Sequence, residues 1–253
     1  SHFGGVIFLL VSGWLTCISW RYAFAVYALS LVIILMVMLW LPEPETRRPV
    51  AGAKTALPFG IYICAVLGAL VMIAFYAAPT NLAMFIENMG RTGISGYLLS
   101  TMTLVGVGSG IILAVLMRLL RSFCAAVAIL SMALGYWILG AASSIPGVVI
   151  AVLCIGFSSG VLMPLLLLEV ARLSPGPARA MSMAVVSVGV YLGQFSSPIV
   201  LKWAGTLSQG TDLFRQQFNV LAVGLGIAAA VGFIIGFKNR KQPVMAGDLH
   251  AQH

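Results

Sequence analysis

Long continuous apolar runs, separated by short polar breaks, fill almost the whole sequence. They lie at roughly 3–19, 22–41, 58–80, 96–117, 123–142, 146–169, 180–201 and 217–237, each near the 20 or so residues with which a helix crosses about 30 Å of hydrocarbon. The strict apolar-polar alternation of an outer-membrane barrel strand is missing, and the runs are about twice the length of such a strand. Backbone groups facing lipid must be satisfied within their own segment, so the runs predict helices. The expected fold class is an all-α integral membrane protein with eight transmembrane helices.

Composition agrees with that pattern. With 61% hydrophobic residues, 8% charged residues and a mean hydropathy of +1.07, the chain has too little polar material to clothe a water-soluble fold. The net charge of +8 does not point to nucleic acid, because the basic residues sit in the breaks rather than in a stripe. They report topology instead. Placing the tail in the cytoplasm puts Arg47, Arg48, Lys54, Arg118, Arg121, Arg172, Arg179, Lys238, Arg240 and Lys241 inside, and leaves only Arg21, Arg91, Lys202 and Arg215 outside. That bias predicts a multi-pass protein of the cytoplasmic membrane with both ends of this chain cytoplasmic.

Cys17, Cys64, Cys124 and Cys154 are widely spaced, in or beside spans, and read as small packing residues. His2, His250 and His253 lie at the chain ends and build no metal site. The run at 3–19 lacks the basic flank of a signal peptide and is followed at once by another span, so it reads as a membrane helix. The chain opens on Ser1, which with the helix count suggests a fragment.

One substantial polar break, Leu41-Pro-Glu-Pro-Glu-Thr-Arg-Arg-Pro49 and on to Leu57, carries three prolines and several charges that exclude a continuous helix. It separates two helices from six. Gly13-Trp14-Leu15, Ser19-Trp20-Arg21-Tyr22-Ala23-Phe24 and Leu41-Pro-Glu-Pro44 resemble helices five and six of the major facilitator superfamily. The six spans beyond, with Gly193-Gln194-Phe195-Ser196-Ser197-Pro198, are similar to its C-terminal half, and within the superfamily the chain is most similar to the bacterial drug:proton antiporter branch. The resemblance implies that 1–41 are the last two helices of an N-terminal half, 42–57 a cytoplasmic linker, 58–237 a six-helix C-terminal half and 238–253 a cytoplasmic tail.

Two family motifs are only partly kept. Arg118 and Arg121 match the basic positions of a decayed Gly-x-Leu-x-Asp-Arg-x-Gly-Arg loop motif, whereas Met117 stands at its Asp and Leu113 and Leu120 at its glycines. Of the antiporter motif expected in the first span, Gly13 alone remains, with Phe8-Leu9 and Ser12 at the other places.

The resemblance implies a substrate cavity between the two halves, reached by alternating access. Its candidate lining is Met72, Phe75, Tyr76 and Asn81 from one span, Ser158, Ser159 and Met163 from a second, and Ser187, Tyr191 and Gln194 from a third. Rings, thioethers and a few polar tips suit bulky apolar ligands, although each such residue also suits plain helix packing. Pro79, Pro164 and Pro198 are candidate bending points or static kinks. Gly106 with Gly110, Gly156 with Gly160, Gly189 with Gly193 and Gly232 with Gly236 predict close helix approach. By the resemblance, the Gly106/Gly110 face is expected against the first span near Gly13.

Glu43 and Glu45 fall in the linker, Glu87 and Asp212 in outer loops, and Asp248 in the tail; Glu169 has Arg172 three residues on and reads as an ion pair. No acid sits clearly at mid-membrane, and the resemblance implies that any coupling carboxylate would lie in the N-terminal helices that precede these. No nucleophile with a base and no ligand cluster occupies the spans, so no enzyme, cofactor or metal is read here. The leading expectation is a proton-coupled exporter of hydrophobic or amphipathic small molecules, lipophilic cations or related compounds among them. Its partners are that substrate, the lipid bilayer and, by resemblance, a proton gradient, with no nucleic acid. The alternatives are a sugar or other polar-metabolite permease and a non-transporting scaffold or sensor.

Overall fold

The computed structural model of the chain describes residues 28–40, 57–91, 93–174, 176–206 and 213–240, together with Val11, Leu15 and Arg21. Gly13, Cys17, linker residues 42–56 and tail residues 241–253 therefore lie outside the described residues, as do the three histidines, and the helix of the last span runs on to Arg240.

The described helices are α1 (Leu29–Trp40), α2 (Phe59–Asn88), α3 (Ser95–Ile111), α4 (Leu113–Leu120), α5 (Cys124–Ala141), α6 (Ile145–Leu173), α7 (Arg179–Thr206) and α8 (Leu213–Arg240). Short 3-10 turns at Arg121–Phe123 and Gly176–Ala178 precede α5 and α7. Every regular element among the described residues is helical. Five stretches are long and apolar enough to cross a membrane: Phe59–Asn88, Leu113–Ala141, Ile145–Leu173, Arg179–Thr206 and Leu213–Lys238. From α1, Leu31–Trp40 are apolar and exposed on all sides.

Close contacts between helices give their directions. Gly189 lies against Ala65 and Gly193 against Ala69, so α7 runs parallel to α2. Gly60 against Leu173 and Gly68 against Leu166 make α6 antiparallel to α2. Gly135 packs on Ala151 and Ile155, and Ser131 donates to the Cys154 carbonyl, so α5 is antiparallel to α6. Gly156 meets Met102 and Gly160 meets Gly106, which makes α3 parallel to α6. Gly140 beside Asn219 and Gly232 beside Ala126 set α8 antiparallel to α5. The passes from α2 to α8 therefore alternate in direction, with α3 and α4 together forming one pass.

The alternation requires a reversal inside Leu113–Ala141. It falls at Arg121, whose φ of 45° ends α4, a conformation uncommon for a residue with a Cβ. The expected division into spans at 96–117 and 123–142 rests on this corner. Gly90 and Gly93, at φ of 73° and 81°, turn the chain between α2 and α3.

Proline does not end α2. The helix continues past Pro79 to Asn88, well beyond the expected limit near residue 80, because Leu82, Phe85 and Ile86 bury against the core. This also places Glu87 in the last turn of a helix instead of in a loop. Thr80 and Asn81 turn their side chains back onto the Tyr76 and Ala77 carbonyls, at 2.8 and 3.1 Å, so the polar turn after the proline is satisfied within the helix.

The largest core cluster joins residues of α2, α3, α5, α6 and α8, with Leu113 of α4 and Leu201 of α7 at its edges. A second, smaller cluster of Ile61, Cys64, Val170 and Val186 closes the opposite end of the α2/α6/α7 contact. The partner expected for Gly106 and Gly110, the span near Gly13, lies outside the described residues, and among those described the face meets α6. A Cβ at Gly106 would stand 3.3 Å from the Gly156 carbonyl oxygen, and one at Gly110 3.5 Å from that of Gly160, so this face packs on α6.

Candidate functional site

The contact between α2 and α7 is built on small residues. Gly189 and Gly193 press on the backbone at Ala65 and Ala69, so closely that a Cβ at either glycine would overlap a carbonyl oxygen. That approach carries polar groups of α7 onto α2. The Gln194 amide reaches the Met72 sulfur at 3.5 Å, and the Ser197 hydroxyl donates to the Ile73 carbonyl at 2.8 Å. Met72 is buried and Gln194 half-buried.

Beside this contact α7 turns a mixed face outward. Ser187 and Pro198 are exposed, and Tyr191 is 66% exposed. Of the five long apolar stretches, α7 has the lowest mean hydropathy. Hydrocarbon is a poor solvent for such a face, because a hydroxyl or amide away from the membrane surface needs a partner.

The other candidates divide. Phe75 and Tyr76 are half-buried, with their rings edge to face at 5.7 Å. Asn81 is occupied with its own helix. Ser159 is buried where α6 meets α3 and donates to the Gly156 carbonyl at 2.9 Å, so it serves helix contact. Ser158 is fully buried and its hydroxyl has no hydrogen-bond partner. The antiparallel register of α2 and α6 brings it level with Tyr76. Met163 is half-buried one turn beyond Ser159.

Arg118 is exposed in the last turn of α4, and Arg121 is exposed at the corner. Glu169 lies 3.9 Å from Arg172, both largely exposed, as their spacing predicts. Among the described residues no three His, Cys, Asp or Glu side chains are grouped to hold a metal ion.

Two important groups escaped the sequence reading. Tyr136 of α5 is fully buried; its hydroxyl accepts the Ala78 N–H at 3.1 Å and donates to the Ala74 carbonyl, with the Phe75 carbonyl 3.4 Å away. Pro79 has no N–H for the Phe75 carbonyl one turn back, so this hydroxyl sits where the ladder of α2 is broken. Its ring stacks on Phe218 at 5.9 Å, and Phe218 meets Phe85 edge to face at 5.5 Å. Arg215 reaches across from α8 to the Gly140 and Ala142 carbonyls at 3.1 and 2.8 Å, where α5 ends. A cation there satisfies the exposed carbonyls and the negative end of the helix dipole. A Pro four residues after a carbonyl and an Arg in a first turn were the available signals, but neither names its partner.

Residues 1–198 match the Major Facilitator Superfamily, and the chain belongs to that family. A comparison with curated proteins finds no match. The protein is thus a multi-pass membrane transporter for small molecules, and its helices are those of an all-α member of the family.

Proposed function

We propose that the protein is a secondary transporter that exports hydrophobic or amphipathic small molecules by alternating access, coupled to the proton gradient. The face of α7 around Tyr191 and Gln194, with Met72, Phe75 and Tyr76 of α2, borders the substrate path. The observation that carries this reading is the Gln194–Met72 contact, one turn along α7 from exposed Tyr191, which sets an amide on a thioether with a phenol on the adjoining face partway along the membrane-spanning helices. Such a set holds an apolar body and offers a few polar contacts without strict geometry.

In this reading 1–41 belong to an N-terminal half, 42–57 form the linker, 58–237 the C-terminal half and 238–253 the tail. The protein lies in the cytoplasmic membrane, with Arg118, Arg121, Arg172, Arg179 and Lys238 at the cytoplasmic side. The helix directions support that orientation, because all five gather at one end of the bundle. The proton-binding carboxylate is placed outside 58–237. The test is flux of amphipathic aromatic probes in proteoliposomes with and without an imposed pH gradient. Gradient-driven probe movement supports the proposal, and movement of sugars with no movement of the probes contradicts it.

A further inference from the structure

We infer that the substrates of this path are amphipathic organic anions, with Lys202 of α7 as the group that selects their charge. The inference rests on the export reading above and refines it. Tyr191, Pro198 and Lys202 are spaced by seven and four residues, so they lie along one face of the helix, and all three are exposed. Lys202 stands about 16 Å along the axis from Tyr191. An open cavity of about 570 Å³ lies at this end of the face, lined by Pro198, Ile199, Lys202, Trp203 and Thr206. All five belong to α7, so this is an open depression along one helix that a ligand on the path would pass. A ligand with its ring system near Tyr191 and Gln194 would extend its polar end towards the ammonium.

The surrounding charge sharpens the choice. Among the described residues the carboxylates are Glu87 and Glu169. Glu169 is at the opposite end of the bundle, with Arg172. The parallel register that sets Ser197 beside Ile73 places Glu87 beyond the level of Thr206, more than a turn past Lys202. A lipophilic cation in this cavity would face Lys202 with no described acid at its level, whereas a carboxylate or sulfonate would gain a charge-assisted bond. Among amphipathic compounds, the charge on this face favours anions over lipophilic cations. A lysine beside a tryptophan near a helix end also suits an interfacial anchor. An anchor changes how much protein inserts, but not the ratio of anion to cation transported.

The experiment measures uptake of anilinonaphthalene sulfonate and of tetraphenylphosphonium by the full-length protein in proteoliposomes, per inserted molecule. The wild type is expected to move the sulfonate in preference. Lys202→Gln is expected to lower sulfonate transport by about tenfold and leave tetraphenylphosphonium unchanged or faster, while Lys202→Arg stays within about twofold of wild type. Preferential transport of the cation by the wild type, or an equal loss of both probes in Lys202→Gln, would overturn the inference and leave the export reading standing. If neither probe moves, the export reading falls and this inference with it.

Discussion

The hydroxyl of Tyr136 accepts the backbone N–H of Ala78 at 3.1 Å, entering the hydrogen-bond ladder of α2 one residue before Pro79. A proline within a membrane helix frees a carbonyl that water cannot reach, and α5 supplies the polar group at that place. The same residue is fully buried between helices: its hydroxyl ties α5 to α2, and its ring, stacked on Phe218, ties α5 to α8. Tyr136→Phe keeps the stack on Phe218 and loses only the hydroxyl. Thermal unfolding in detergent is expected to show a loss of about 1–2 kcal/mol. An unchanged midpoint would mean that the hydroxyl contributes nothing to α2.

The α3/α6 crossing gives a second test. A Cβ on Gly160 would overlap the Gly106 carbonyl and the Ser109 hydroxyl, whereas one on Gly108 meets nothing within 4 Å. Gly160→Ala should destabilise by about 1–3 kcal/mol, because two backbones must separate. Gly108→Ala should be neutral or stabilise by up to about 1 kcal/mol, through the lower chain entropy of alanine. Equal midpoints for the two variants would contradict the close crossing.

Arg215 is basic in the first turn of its own helix, the unfavourable end of the α8 dipole, and its bonds to Gly140 and Ala142 account for it there. Arg215→Gln is expected to cost about 1–3 kcal/mol and to raise amide exchange at the end of α5. Faster exchange confined to α8 would place its role elsewhere.

Glu169 and Arg172 are too exposed for their pair to matter much, since solvent and salt screen it. Glu169→Gln should change stability by less than about 0.5 kcal/mol and leave the pH dependence of transport as it is. A displaced pH profile would make Glu169 a coupling residue.

The membrane helices were legible because lipid imposes a length and a composition that few residues evade. What the sequence left open was decided by contacts between distant segments. The apolar run stops near residue 80, just past Pro79, yet the burial of Leu82, Phe85 and Ile86 extends the helix. Gly106 and Gly110 announce a close approach, but spacing on one helix cannot name the other, and the partner among the described residues is α6. The candidate site shows the same division. Tyr191 and Gln194 are three apart on one helical face, which sequence shows, whereas the reach of Gln194 to Met72 depends on Gly189 and Gly193 drawing the backbones together. Ser159 has the same residue type and helix position as a cavity hydroxyl and is spent on helix contact instead.

The central claim is that the Tyr191/Gln194 face borders the substrate path, and transport per inserted molecule by Tyr191→Ala and Gln194→Ala tests it most directly. Each variant is expected to lose several-fold in transport of an amphipathic aromatic probe, the size of one contact worth about 1 kcal/mol. The amount of folded protein should fall less than transport does. Normalised transport equal to wild type in both variants would contradict the claim and remove this face of α7 from the site.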